Sequence, residues 1–115
     1  MLSAKKIEHY KQIVELRISE LNRIVSAAAK EAQADSARHA DPADQAAAEY
    51  DRQAMTHKVA TARQLLRTLT ETLERIQRGE FGQCADCGGD IEPKRLEVLP
   101  WAGYCVKCQQ TREHG

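Results

Sequence analysis

Apolar residues recur along the first third of the chain at Ile7, Tyr10, Val14, Ile18, Leu21, Ile24, Val25 and Ala28. Gaps of three and four put them on one face of a helix, and no Gly or Pro interrupts residues 3–38. A second stripe, Ala47, Tyr50, Ala54, Ala62, Leu65, Leu66, Leu69, Leu73 and Ile76, predicts a second helix from Asp41 to about Arg78. Between the two, Asp41 is a good N-cap, Pro42 suits the first helical position and Asp44 falls in the first turn. Pro42 also disfavours helical geometry at Asp41, so the first helix stops before it. Two such helices joined by so short a turn predict an antiparallel hairpin, a coiled coil, with arms of about 55 Å at ~1.5 Å per residue. That exceeds what a 115-residue globule needs, so the hairpin is expected to project.

The expected seam changes along the hairpin. Near the chain termini it is Ile, Val and Leu; toward the turn it becomes Ala28, Ala29, Ala32, Ala46, Ala47 and Ala54, small residues that allow close approach and a slender tip. The tip, near residues 35–51, is also acidic: from Glu31 to Asp51 there are six acids against the single base Arg38. Residues 79–115 have another character, holding all six Gly, two of the three Pro and all four Cys. The chain therefore reads as mainly α, with a hairpin over 1–78 and a small C-terminal module over 79–115.

The module carries the clearest chemistry. Cys84 and Cys87 form one CxxC pair and Cys105 and Cys108 a second, with 17 residues between Cys87 and Cys105. This is the spacing of a four-cysteine zinc finger, in which each tight knuckle presents two thiolates. Gly88 and Gly89 follow the first pair, where a knuckle needs a backbone free to take positive φ; Gly103 precedes the second. Four thiolates leave no open position for substrate or activated water, so one Zn²⁺ per chain is expected to be structural. A module this small needs such a staple. A zinc or thiol redox sensor is the alternative use of the same cysteines. The four His lie away from the Cys pairs in spacing and read as surface residues.

Composition narrows the function. With 17 Lys+Arg against 17 Asp+Glu, bulk charge does not favour coating nucleic acid or an anionic membrane. No apolar run approaches the length of a membrane span, and residues 1–11 contain no apolar signal core, so a cytoplasmic protein is expected. A nucleic-acid-binding zinc ribbon with a coiled-coil arm is a rival class. Against it, residues 81–115 hold four bases and five acids, without a basic patch flanked by stacking aromatics. A structural coiled-coil dimer is another, disfavoured by the Ala-rich seam and strong turn, which suit a monomeric hairpin. No nucleophile–base pair or open metal site points to an enzyme.

The tip Asp41-Pro42-Ala43-Asp44-Gln45-Ala46 followed by this module resembles the DksA/TraR family of bacterial transcription factors. Asp41, Asp44 and Ala46 fill the family's DxxDxA pattern. Gly79-Glu80-Phe81-Gly82, Gly88, Ile91, Arg95-Leu96-Glu97 and Pro100 continue the match, which covers roughly residues 35–108. The resemblance implies a partner, bacterial RNA polymerase, whose secondary channel the hairpin enters while the globular end rests on the rim. It implies that Asp44 and Ala46 contact the catalytic centre and that Asp41 holds the turn, modulating initiation without direct sequence-specific DNA binding. Seven residues follow Cys108, whereas longer family members end in a further helix, so the rim contact is expected to be made with less. Many members work with the alarmone guanosine tetraphosphate (ppGpp). Three positions basic in those members are Thr68, Leu99 and Gln109 in this chain, with Arg67, Arg95 and Lys107 close in sequence, so action without ppGpp is expected.

Overall fold

The computed structural model describes residues 2–35 and 42–114. Four helices follow in order: α1 (Ala4–Asp35), α2 (Pro42–Gln77), α3 (Pro93–Val98) and α4 (Val106–His114). Among the described residues there is no strand, only an isolated antiparallel bridge between Gln83 and Asp90. Asp41, and the stretch 36–38 expected to finish the first helix, lie outside the described residues.

Local chemistry sets the ends of the long helices. Ser3 caps α1, its Oγ accepting the Lys6 N–H at 3.2 Å. At the end of α2, Gly79 takes φ 73°. Its N–H donates to the Ile76 carbonyl at 3.1 Å and the Glu80 N–H to the Arg75 carbonyl at 2.9 Å, the paired bonds of a Schellman stop.

The chain forms two compact units, Met1–Arg17 with Thr68–Gly115, and Ile18–Arg67. Each unit takes a piece of α1 and a piece of α2: the start of α1 belongs with the end of α2, the remainder of α1 with the start of α2. That is the pairing of an antiparallel helical hairpin. Besides Tyr10 and Thr72, the buried positions of the two long helices stand seven or fourteen residues apart, Val14, Leu21 and Ala28 on α1, and Ala48, Ala62 and Leu69 on α2. Met55 and Ile76 continue the α2 series half-buried. A seven-residue recurrence is the repeat of a coiled coil.

The expected stripe is corrected in the first half of α2. Ala47, Ala54 and Tyr50 are exposed, Tyr50 at 75%, and Ala48 is buried instead, with Met55 and Val59 half-buried. Ala29, Ala32 and Ala46 are exposed as well, so the seam toward the turn is Ala28 and Ala48. In a run such as Ala46-Ala47-Ala48 the residues are equally apolar, and only the phase set by Ala62 and Leu69 decides which one turns inward.

The unit that contains the cysteines has its own core. Tyr10, Phe81, Cys84, Ile91 and Leu96 form a buried cluster, with Leu2, Ile7 and Ile76 packed against it. The Tyr10 and Phe81 rings meet at 5.6 Å between centroids, tilted by 45°. Burying the Leu96 side chain is worth about 1.5–3 kcal/mol, and it ties the six-residue α3 to the long helices. Thr72, the one buried polar side chain among the described residues, returns its hydroxyl proton to the Thr68 carbonyl at 2.8 Å.

Candidate functional site

Short backbone bonds build the first knuckle. The Cys84 N–H donates to the Gly89 carbonyl at 2.7 Å, the Gly88 N–H to the Cys84 carbonyl at 3.0 Å, and the Ile91 N–H to the Gly82 carbonyl at 2.8 Å. Gly88 takes φ 74° and Gly82 φ 86°, whereas Gly89 does not need a positive φ. The second knuckle runs into α4, which carries Cys108 in its first turn. The Ala85 N–H donates to the Gly103 carbonyl at 2.9 Å and joins the two loops. Gly103 also allows Arg75 to pass: a Cβ there would lie 3.2 Å from Nη1 of Arg75. Arg75 donates through Nη2 to the Gln83 carbonyl, fixing the loop before Cys84.

The folded loops bring all four cysteines together, with their sulfurs within 4.8 Å of one another. Cys87 Sγ and Cys105 Sγ are 3.9 Å apart. With Zn–S bonds of ~2.3 Å, the sulfurs of a tetrahedron stand about 3.8 Å apart, so the set fits zinc. Backbone amides already point at the sulfurs: the Gly89 N–H at Cys87 Sγ, 3.4 Å, and the Cys108 N–H at Cys105 Sγ, 3.5 Å. Burial pushes the Cys84 thiol up, but the amides of Cys87, Cys105 and Asp86 together outweigh it and bring the group down to about 6. Cys108 is pushed up to about 12, chiefly by hydrogen bonds with Cys105 and Cys84 and further by burial. Four sulfurs competing for few protons are a donor set suited to a divalent soft cation, which replaces those protons on binding. Among the described residues this is the one cluster of metal-ligating side chains, and His9, His57 and His114 are exposed and outside it.

Several side-chain contacts that shape the site have no signal in the sequence. Glu92 Oε1 accepts the Val106 N–H at 3.2 Å and so caps the start of α4 from a distant loop. Arg95 Nε donates to the Tyr104 carbonyl at 3.0 Å, just before Cys105. Arg112 on α4 reaches Asp86, between Cys84 and Cys87.

In the other unit, Asp44 lies in the first turn of α2 and, like Ala46, is exposed. Asp44 lines an open hollow of about 440 Å³ with Glu31 and Asp51, opposed by Lys58. Glu49 is paired with Arg52 at 3.0 Å. The acidity of the described tip therefore concentrates on Glu31, Asp44 and Asp51. Asp41 lies outside the described residues.

Residues 79–114 match the prokaryotic dksA/traR C4-type zinc finger. The similarity extends well beyond the module. The RNA polymerase-binding transcription factor DksA of Buchnera aphidicola subsp. Schizaphis graminum is 30% identical over 112 residues, 97% of this chain and 74% of that protein. The chain belongs to the DksA/TraR family. The protein of the same name from Escherichia coli K12 is 28% identical over the same span. DksA2 from Pseudomonas aeruginosa superposes with a TM-score of 0.85 at 26% identity, covering 97% of this chain and 86% of that one. The Dks structure from Chlamydia trachomatis shares the fold, with a TM-score of 0.62 at 20% identity over the whole of this chain and 95% of that one. Residues 79–114 match a C4-type zinc finger and its four sulfurs lie within 4.8 Å of one another, so a structural zinc ion is this protein's cofactor.

Proposed function

We propose that this protein is a transcription regulator that binds bacterial RNA polymerase and inserts its hairpin tip into the secondary channel to modulate initiation. It is not an enzyme. The observation that carries this reading is similarity along 97% of the chain to proteins named RNA polymerase-binding transcription factor DksA. Residues 1–78 act as the arm and 79–115 as the module that seats it. Cys84, Cys87, Cys105 and Cys108 are the four ligands of one zinc ion, which closes the module and leaves no coordination position for chemistry. Asp44 and Ala46 are the contacts to the catalytic centre and Asp41 holds the turn. The exposure of Asp44 and Ala46, and the carboxylates gathered beside Asp44, support a role near a Mg²⁺-bearing centre. The protein works as a cytoplasmic monomer without sequence-specific DNA contacts of its own. No helix among the described residues is long and apolar enough to cross a membrane.

The action proceeds without ppGpp. Thr68, Leu99 and Gln109 line one hollow of about 540 Å³, in the unit that holds the cysteines. Among its described lining residues the only base is Arg95, and Glu113 offsets it. Arg95 is committed through Nε to the Tyr104 carbonyl, while Arg67 and Lys107 are not in the lining. A polyphosphate clamp needs several charge-assisted donors, which this hollow lacks.

In vitro transcription from a ribosomal RNA promoter with cognate polymerase tests the main reading. The protein is expected to change initiation. Asp44→Asn, which keeps shape but removes the charge, is expected to compete for the channel while losing most of that effect. A wild-type protein without effect or affinity would overturn the function; a fully active Asp44→Asn would remove the tip carboxylate from it.

A further inference from the structure

Helix α4 has nine residues and buries none of them. A helix so short is not stable by itself, and its apolar contact with the core is the half-buried Cys108 side chain. It nevertheless carries Cys108. Its last turn is held by one side chain. Arg112 Nε donates to Asp86 Oδ2 at 2.9 Å and Nη2 to Asp86 Oδ1 at 3.1 Å, a two-pronged pair. The same guanidinium lies 4.1 Å over the centre of the Tyr104 ring. Asp86 sits inside the first knuckle, Tyr104 directly precedes the second, and Arg112 is one turn beyond Cys108 on the same helix face. One guanidinium therefore touches both knuckles and the helix that presents the fourth sulfur.

We propose that Arg112 and Asp86 are a positioning pair for metal retention. The pair holds Cys108 Sγ beside the other three sulfurs, so that a zinc–sulfur bond that breaks re-forms before the ion escapes. Zinc leaves a four-thiolate site one bond at a time, and a detached thiolate that stays tethered has a high effective concentration for recapture. Without the tie, a released Cys108 is drawn back only by its half-buried contact with the core and by the Glu92 cap at the start of α4. Both partners are about half-exposed, 51% for Arg112 and 40% for Asp86. The gain is accordingly modest, about two- to fivefold in the rate of zinc loss, and weaker in salt. The inference rests on the four-cysteine ligand set and is independent of the polymerase reading.

The test follows zinc transfer from the full-length, zinc-loaded protein to excess 4-(2-pyridylazo)resorcinol. Arg112→Gln and Asp86→Asn are each expected to speed release about two- to fivefold at low ionic strength. The double variant is expected to be no faster than either single one, Arg112→Lys to be intermediate, and the gap to narrow in concentrated NaCl. Unchanged rates in the single variants, or accelerations that multiply in the double variant, would overturn the pair. A gap indifferent to salt would assign the effect to packing on Tyr104 and overturn it equally. Cobalt substitution separates this from the ligand set. Intense thiolate-to-cobalt absorption in every variant shows the site formed, whereas its absence from the wild type would sink the ligand set itself.

Discussion

Two adjacent glycines show how much a single backbone angle decides. The sequence suggests the same role for Gly88 and Gly89, yet Gly88 alone holds φ 74°, with open space where a Cβ would go. A Cβ on Gly89 would make ordinary contact with Cys87 Sγ at 3.5 Å. Gly88→Ala is therefore expected to cost about 1–2 kcal/mol of left-handed strain, and Gly89→Ala almost nothing. Competition with a chelator checks this: zinc affinity should fall about 5–30-fold for Gly88→Ala and stay near wild type for Gly89→Ala. The four cysteines were legible at this scale because their meaning lies in short spacing. Arg75, Glu92 and Arg112 were not. Their partners stand 8, 14 and 26 residues away in sequence, and no local pattern marks a charged side chain that folding brings to a carbonyl, an amide or a carboxylate.

The helices differ in what keeps them helical. α1 and α2 have 32 and 36 residues and bury a regular seam, so their existence, the start of α1 and the end of α2 could be read from periodicity to within a residue. The register of the first half of α2 could not, because alanine carries little contrast between inside and outside. α4 is the opposite case, a helix without an apolar face whose place is set by Cys108, Glu92 and Arg112. Zinc removal is expected to melt α4 first and to leave α1 and α2 in place. In far-UV circular dichroism the helix lost to excess chelator should not exceed the six residues of α3 and the nine of α4. Cys105→Ser should give the same partial loss without chelator. A collapse of the whole helical signal would mean that the hairpin depends on the metal.

For the whole molecule, the proposed independence from ppGpp turns on the hollow lined by Thr68, Leu99 and Gln109. Each charged hydrogen bond missing from a phosphate clamp is worth about 1.5–3 kcal/mol, so three missing bases would leave little affinity for ppGpp. With a polymerase whose own separate alarmone site has been removed, ppGpp is expected to leave this protein's affinity and promoter effect unchanged. A several-fold enhancement, measured by competition binding and by transcript yield, would show that Arg95 and its neighbours suffice. The fold and the zinc module were readable in advance because each rests on repetition, of apolar positions or of cysteine pairs. The hollow came into view only when α2, α3, Trp101 and α4 were placed around it.

The sevenfold recurrence of buried positions makes the arm a ruler with discrete graduations. Val14, Leu21 and Ala28 on one helix and Ala48, Met55, Ala62 and Leu69 on the other, Met55 half-buried, share the same interval. Residues 22–28 and 49–55 could be excised together and every remaining seam residue would keep its face, with each helix shortened by about 10 Å. Excising three or four residues from one helix alone would rotate the seam out of register. Matched steps of one repeat therefore change the reach without disturbing the seam, whereas steps of three or four residues require local over- or unwinding of the pair.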